Sequence, residues 1–104
     1  MTADPVQLEI EKGVATVRLN QPEVRNALTH ELRTAFRDVV GSLEFNEDVR
    51  CVVITGAGNH FMAGGDIRAM VERLKVDQIE RRKLILEGIH LLHLPLFAIR
   101  RMGK

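Results

Sequence analysis

The chain has 104 residues, 45% hydrophobic and 28% charged, with a formal net charge of +1. That composition suits one small folded domain, argues against disorder, and leaves no global field to steer the chain to nucleic acid or an anionic membrane. A single cysteine excludes an internal disulfide, the lack of Trp and Tyr argues against a base-stacking surface, and no apolar run nears the roughly 20 residues that span a bilayer.

Val6, Leu8 and Ile10 alternate with Gln7 and Glu9, and Val14–Leu19 is a second β-rich run. Glu11-Lys12-Gly13 joins them, so a hairpin is predicted. Pro22 ends the strand structure. Thr29 is the expected N-cap of a helix whose apolar face is Leu32, Phe36, Val39, Val40 and Leu43, with Gly41 weakening its last turn. Val49–Thr55 reads as a central strand buried on both faces, with Cys51 as a buried, inert thiol. A short helix follows from Asp66 to about Leu74, with Ile67, Met70, Val71 and Leu74 on one side. Asp77 and Glu80 resemble a capping box for another helix, whose stripe is Leu84, Ile85, Gly88, Ile89 and Leu92. Pro95 bounds that helix, and Leu96–Ile99 is expected to start a further strand. The order is an α/β pattern of βαβ units.

The stretch Ala63-Gly64-Gly65-Asp66 closes a loop with four glycines in ten residues, Gly56, Gly58, Gly64 and Gly65. A dinucleotide fingerprint starting at Gly56-Ala57-Gly58 needs glycine at 61 and meets Phe61; a phosphate loop lacks its Gly-Lys-Ser/Thr. His90 and His93, three apart on a helix, are too few for a metal site, and their polar tips suit the helix end. His30 and His60 are isolated. The Arg81-Arg82-Lys83 cluster reads as a solvated face. Two readings of the loop stand on the residues alone. One is an ordinary strand-to-helix connection with Asp66 as cap. The other is an anion site in which the Gly65 N–H, at a helix N-terminus, faces a developing negative oxygen.

Three motifs then carry a resemblance. Asn20-x-Pro22-x-x-x-Asn26-Ala27-Leu28, Val52-Val53-Ile54-Thr55-Gly56 and Phe61-x-Ala63-Gly64-x-Asp66, in this order and spacing, resemble the crotonase superfamily, the enoyl-CoA hydratase/isomerase proteins. The resemblance covers the chain to about residue 75. It implies the α/β crotonase-like ββα spiral (the ClpP/crotonase fold), here its N-terminal portion only, with residues 1–104 forming one part of that domain.

The resemblance also implies roles. Gly65 would supply one oxyanion-hole N–H to the thioester carbonyl of an acyl-CoA. Arg25, Ala27, Ala63, Gly64, Gly65, Asp66 and Ile67 match segments lining the CoA site, with Asp66 as a cap and Gly64 permitting close approach. Gly103 is the candidate second donor, although Arg100 and Arg101 stand where the family has small apolar residues and the spacing from Pro95 is one residue long. The implied chemistry is proton transfer beside a thioester, with no metal or redox cofactor and coenzyme A entering as part of the substrate. The family's acidic residues fall beyond residue 104, and Glu72, Glu80 and Glu87 are not substitutes. The chain alone is therefore expected to lack hydratase turnover. A trimer or hexamer is expected when full length, in a cytoplasmic location, with no nucleic-acid or membrane partner. The alternatives are a non-catalytic acyl-CoA-binding or assembly-only protein of this type and, disfavoured by Phe61, a dinucleotide-binding module.

Overall fold

A computed structural model describes residues 4–104. The hairpin forms as its alternation predicts. Strand β1 (Val6–Glu11) pairs antiparallel with β2 (Val14–Leu19), Val6 opposite Leu19 and Glu11 opposite Val14. Lys12 and Gly13 turn the chain with φ of 51° and 81°, the doubly left-handed geometry that matches strand twist.

Helix α1 (His30–Leu43) crosses from β2 to β3 (Cys51–Gly56), which lies parallel to β2 with Val17 beside Ile54. The sheet order is β1-β2-β3. Leu32, Phe36, Val40 and Leu43 are buried on α1, as their spacing predicts, and with Ala15, Val17 and Leu19 they make the core.

Two expectations for β3 fail together. It is an edge strand, not a central one, and only Val52 and Ile54 pack toward the core. Val53 and Cys51 lie on the uncovered face, so the Cys51 thiol is exposed rather than buried. Four consecutive apolar residues signal burial on both faces only where a second layer exists, and among the described residues helices cover one face alone.

Helix α2 (Ile67–Arg73) has the predicted span, but Ile67, Met70, Val71 and Leu74 are exposed. Helix α3 (Gln78–Arg101) starts where expected, with the Asp77 carboxylate accepting from the Glu80 N–H at 2.9 Å. It then continues through Pro95, and the predicted strand at Leu96–Ile99 is the helix's last turns. The physical reason is the helix phase. Leu84, Gly88, Leu91, Pro95, Ala98 and Met102, spaced four and three in alternation, turn inward, and Ala98 joins the core. This phase leaves Ile85 and Ile89 of the predicted stripe exposed. Pro95 lacks an N–H at a cost of about 3 kcal/mol in a helix interior, set against burial of Pro95 itself and of Ala98. No helix among the described residues is long and apolar enough to cross a membrane.

The far end of α3 is tied to the end of α1. Arg101 donates to both carboxylate oxygens of Glu44, from Nη2 at 3.0 Å and from Nε, and the Lys104 ammonium donates to the carbonyls of Asn46 and Val49. Hydrogen bonds from Arg101 pull the Glu44 carboxyl below its ordinary pKa; partial desolvation opposes them and the Arg101 charge adds to them. A depressed folded pKa gives stability that is present above the unfolded glutamate pKa and lost as pH falls through the folded value. The melting temperature of Glu44→Gln should therefore lie below that of the parent at neutral pH. The difference should vanish on acidification past the folded Glu44 pKa and shrink with added salt, because the pair is solvent-screened.

Candidate functional site

Three segments meet at the carboxyl end of β3: the connection 20–29 ahead of α1, the loop 57–66, and the start of α2. The first opens with a single 3-10 turn, Pro22–Val24, and then places Arg25 and Asn26 in left-handed backbone, φ 56° and 57°. Asn tolerates that conformation through local hydrogen bonding, whereas Arg25 holds it at a cost of about 1–2 kcal/mol. Thr29 ends the segment. Its hydroxyl oxygen accepts from the Leu32 N–H at 3.1 Å, the predicted cap, and its O–H donates to Gln21 Oε1 at 2.6 Å. Thr29→Ala should cost about 1–2 kcal/mol in urea denaturation, while Thr29→Ser, which keeps both bonds, should stay near the parent.

The second segment folds back on itself. A Cβ at Gly56 would stand 2.5 Å from the carbonyl oxygens of both His60 and Phe61, so the returning chain lies directly on Gly56. Gly64 has φ +98°, a conformation for which glycine is required. Its carbonyl accepts from the Leu28 N–H at 2.8 Å in a one-residue parallel bridge, Leu28 beside Gly65. Its own N–H points to the Met62 sulfur at 2.8 Å. Asp66 caps α2 through its side chain, accepting from the Arg68 N–H at 3.2 Å.

Gly65 is exposed between these fixed neighbours, and its N–H donates to no acceptor among the described residues. Because α2 has only seven residues, the electrostatic pull on an anion rests on this N–H more than on a helix dipole.

The bridge at Leu28 brings the Arg25–Ala27 segment alongside Ala63–Ile67. Arg25, Ala63 and Ile67 are exposed there, and Ala27, Gly64 and Asp66 are half-buried. Gly103 is not part of this cluster. It follows α3 beside Lys104, which binds the Asn46 and Val49 carbonyls at the opposite end of α1 from Leu28. A helix of this length separates its ends by about 20 Å.

Two cavities flank the loop. One, about 200 Å³ and apolar, lies among Leu28, Leu32, Ile54, Phe61, Met62 and Leu92. The other, about 650 Å³, is lined by Arg33, Asp66, Arg73, Glu87 and Gly88 among others. In it the Arg33 Nε is buried without an acceptor, and desolvation, with the nearby Arg73 charge, lowers the Arg33 pKa against a smaller opposing pull from Asp66. The described residues contain no group of three His, Cys, Asp or Glu side chains placed to hold a metal. Sequence reasoning named Gly56 and Asn26 but missed the structural part each plays: the close approach of the returning chain at Gly56 and the buried amide of Asn26. Asn26, fully buried, was legible only as a member of the Asn20–Leu28 motif, with no role attached.

Comparison with known proteins gives consistent results. The family model for enoyl-CoA hydratase/isomerase matches residues 9–99. A short-chain-enoyl-CoA hydratase of Clostridium acetobutylicum is 36% identical over 105 residues, covering 94% of this chain and 39% of that protein. A probable enoyl-CoA hydratase of Mycobacterium tuberculosis is 43% identical over 67 residues, 64% of this chain and 26% of its own length. A solved Pseudomonas aeruginosa structure superposes with a TM-score of 0.74 at 32% identity, over 88% of this chain and 39% of that one. The chain thus spans between a quarter and two fifths of the length of these proteins.

Proposed function

The chain belongs to the enoyl-CoA hydratase/isomerase family, and we propose that it polarises the thioester carbonyl of an enoyl-CoA through the Gly65 N–H. Its architecture is the N-terminal portion of the crotonase fold. The observation that carries the reading is the unengaged Gly65 N–H in a loop held from both sides, at Leu28 and at Asp66. A hydrogen bond there draws electron density to the carbonyl oxygen. The α-carbon becomes more acidic and the β-carbon more electrophilic, which serves both a double-bond shift and addition of water. One such donor is worth about 3–4 kcal/mol of barrier.

Arg25, Ala27, Ala63, Gly64, Asp66 and Ile67 line the substrate path in this reading. The apolar cleft beside Phe61 and Met62 takes the acyl chain, its roughly 200 Å³ suiting a short one. Coenzyme A is part of the substrate, and the chemistry calls for no metal or redox cofactor. A cytoplasmic location and a trimeric or hexameric full-length assembly complete the proposal.

A binding role without turnover is the second reading. One observation favours it: Gly103, the candidate second donor, lies at the far end of α1 from Gly65. Isotope-edited infrared spectroscopy of carbonyl-labelled but-2-enoyl-CoA, bound to the 104-residue chain, tests the core of both readings. The thioester stretch should move to lower frequency on binding. An unshifted stretch in a saturated complex would sink the Gly65 assignment. The chain alone is expected not to hydrate the compound in either reading, so a shift with no hydration by the full-length protein would select the binding role.

A further inference from the structure

We infer that Asn26 is a positioning residue for the Gly65 N–H, a role that rests on the thioester reading above. The side chain of Asn26 is completely buried, and three of its hydrogen-bonding positions are filled by backbone. Oδ1 accepts from the Gln21 N–H at 2.8 Å. Nδ2 donates to the Ala57 carbonyl at 3.1 Å and to the His60 carbonyl at 2.9 Å, contacts that reach 31 and 34 residues along the chain. The Asn26 backbone N–H returns to the Gln21 carbonyl at 2.9 Å, and Gln21 Oε1 takes the Thr29 hydroxyl. One amide therefore joins the start of α1 to the first half of the glycine loop.

The second half of that loop is held from the same segment. Leu28, two residues after Asn26, donates to the Gly64 carbonyl. Gly65 is thus set by two ties that leave the 21–28 segment two residues apart, one at His60 and one at Gly64. Losing the Asn26 tie leaves residues 57–63 hydrogen-bonded to other segments only at their ends, and a donor that must meet an oxygen within a few tenths of an ångström loses its fixed direction. Only an amide serves here. The site needs an acceptor toward Gln21 and two donors toward carbonyls; a carboxylate supplies the first and sets negative charge against the other two.

The test is N26D in the 104-residue chain, read by affinity for but-2-enoyl-CoA and by the infrared shift of its labelled carbonyl under saturation. The expected result is about tenfold weaker binding together with loss of most of the carbonyl shift, at a temperature where circular dichroism shows native secondary structure. A lower melting temperature with affinity and shift both at parental values would overturn the inference, since a purely structural asparagine predicts that pattern. The unmodified chain supplies a second reading that needs no variant. On titration with the same compound, the Asn26 side-chain amide resonances should move on one curve with the Gly65 N–H. A moving Gly65 with Asn26 stationary overturns the positioning role alone. A parent chain whose bound carbonyl is unshifted overturns the thioester reading, and this one with it.

Discussion

Gly65→Pro should abolish the infrared shift of a bound enoyl-CoA carbonyl and, in any form of the enzyme that turns over, lower the rate by roughly 10²–10³. Proline has no N–H, so the donor is removed without adding charge. Gly65, unlike Gly64, is not in left-handed conformation, so neither substitution places a side chain in that region. The nearest atom to an added Cβ is the Met70 methyl at 2.5 Å, the mobile end of a flexible, exposed side chain. Gly65→Ala is the control, because it meets the same methyl and keeps the N–H. It should retain most of the shift and of the rate. Equal losses in both variants would assign the effect to packing against Met70, and equal retention in both would remove Gly65 from the chemistry.

Leu32→Ala carries the largest expected loss of stability, about 2–5 kcal/mol by urea denaturation. Leu32 is only 1% exposed, sits one turn inside the Thr29 cap, and packs in the core with Val17 and Phe36. It also walls the apolar cleft, so its truncation joins a new void to an existing one and leaves little to collapse into the gap. Domains of this size hold about 5–15 kcal/mol in total, so the variant should lose a large fraction of its stability and melt well below the parent. Leu32→Met, near in volume, should cost under about 1.5 kcal/mol. Leu86→Ala, at an exposed position on α3, should lie within about 0.5 kcal/mol of the parent. A small effect of Leu32→Ala would mean that α1 is not seated on the sheet as described.

The glycine loop illustrates how far residue types reach. Gly64, Gly65 and Asp66 were legible as a close-approach segment ending in a cap, because turn and cap chemistry are properties of a few consecutive residues. The same holds for the hairpin at Lys12-Gly13, for Thr29 and Asp77 as caps, and for the inward face of α1. Each is decided by contacts within about four residues, and each appears where the sequence predicts it.

What needed the third dimension was partnership. Leu96–Ile99 has the composition of a strand, yet its neighbours Pro95, Ala98 and Met102 share one helical phase with Leu84, Gly88 and Leu91, and burial along α1 decides for helix. The apolar run of β3 is the same whether a strand is central or at an edge; only the sheet order β1-β2-β3 exposes Cys51 and Val53. The inward spacing of α2 does not guarantee a surface to face. Gly103 falls within one residue of the spacing expected of a second glycine donor, but the course of α3 carries it to the far end of α1 from Gly65. Asn26 is the plainest case. Its partners Ala57 and His60 lie more than 30 residues away, so the motif that contains it names the residue without giving its bonds. The sequence by itself determined the hairpin, α1, α2, the start of α3, their caps, the family and the glycine loop, because these are written in short-range chemistry and in motif spacing. The tertiary structure decided which faces are covered, where α3 runs, and what holds Gly65 in place, because burial and hydrogen-bond partners are properties of neighbours that only the fold brings together.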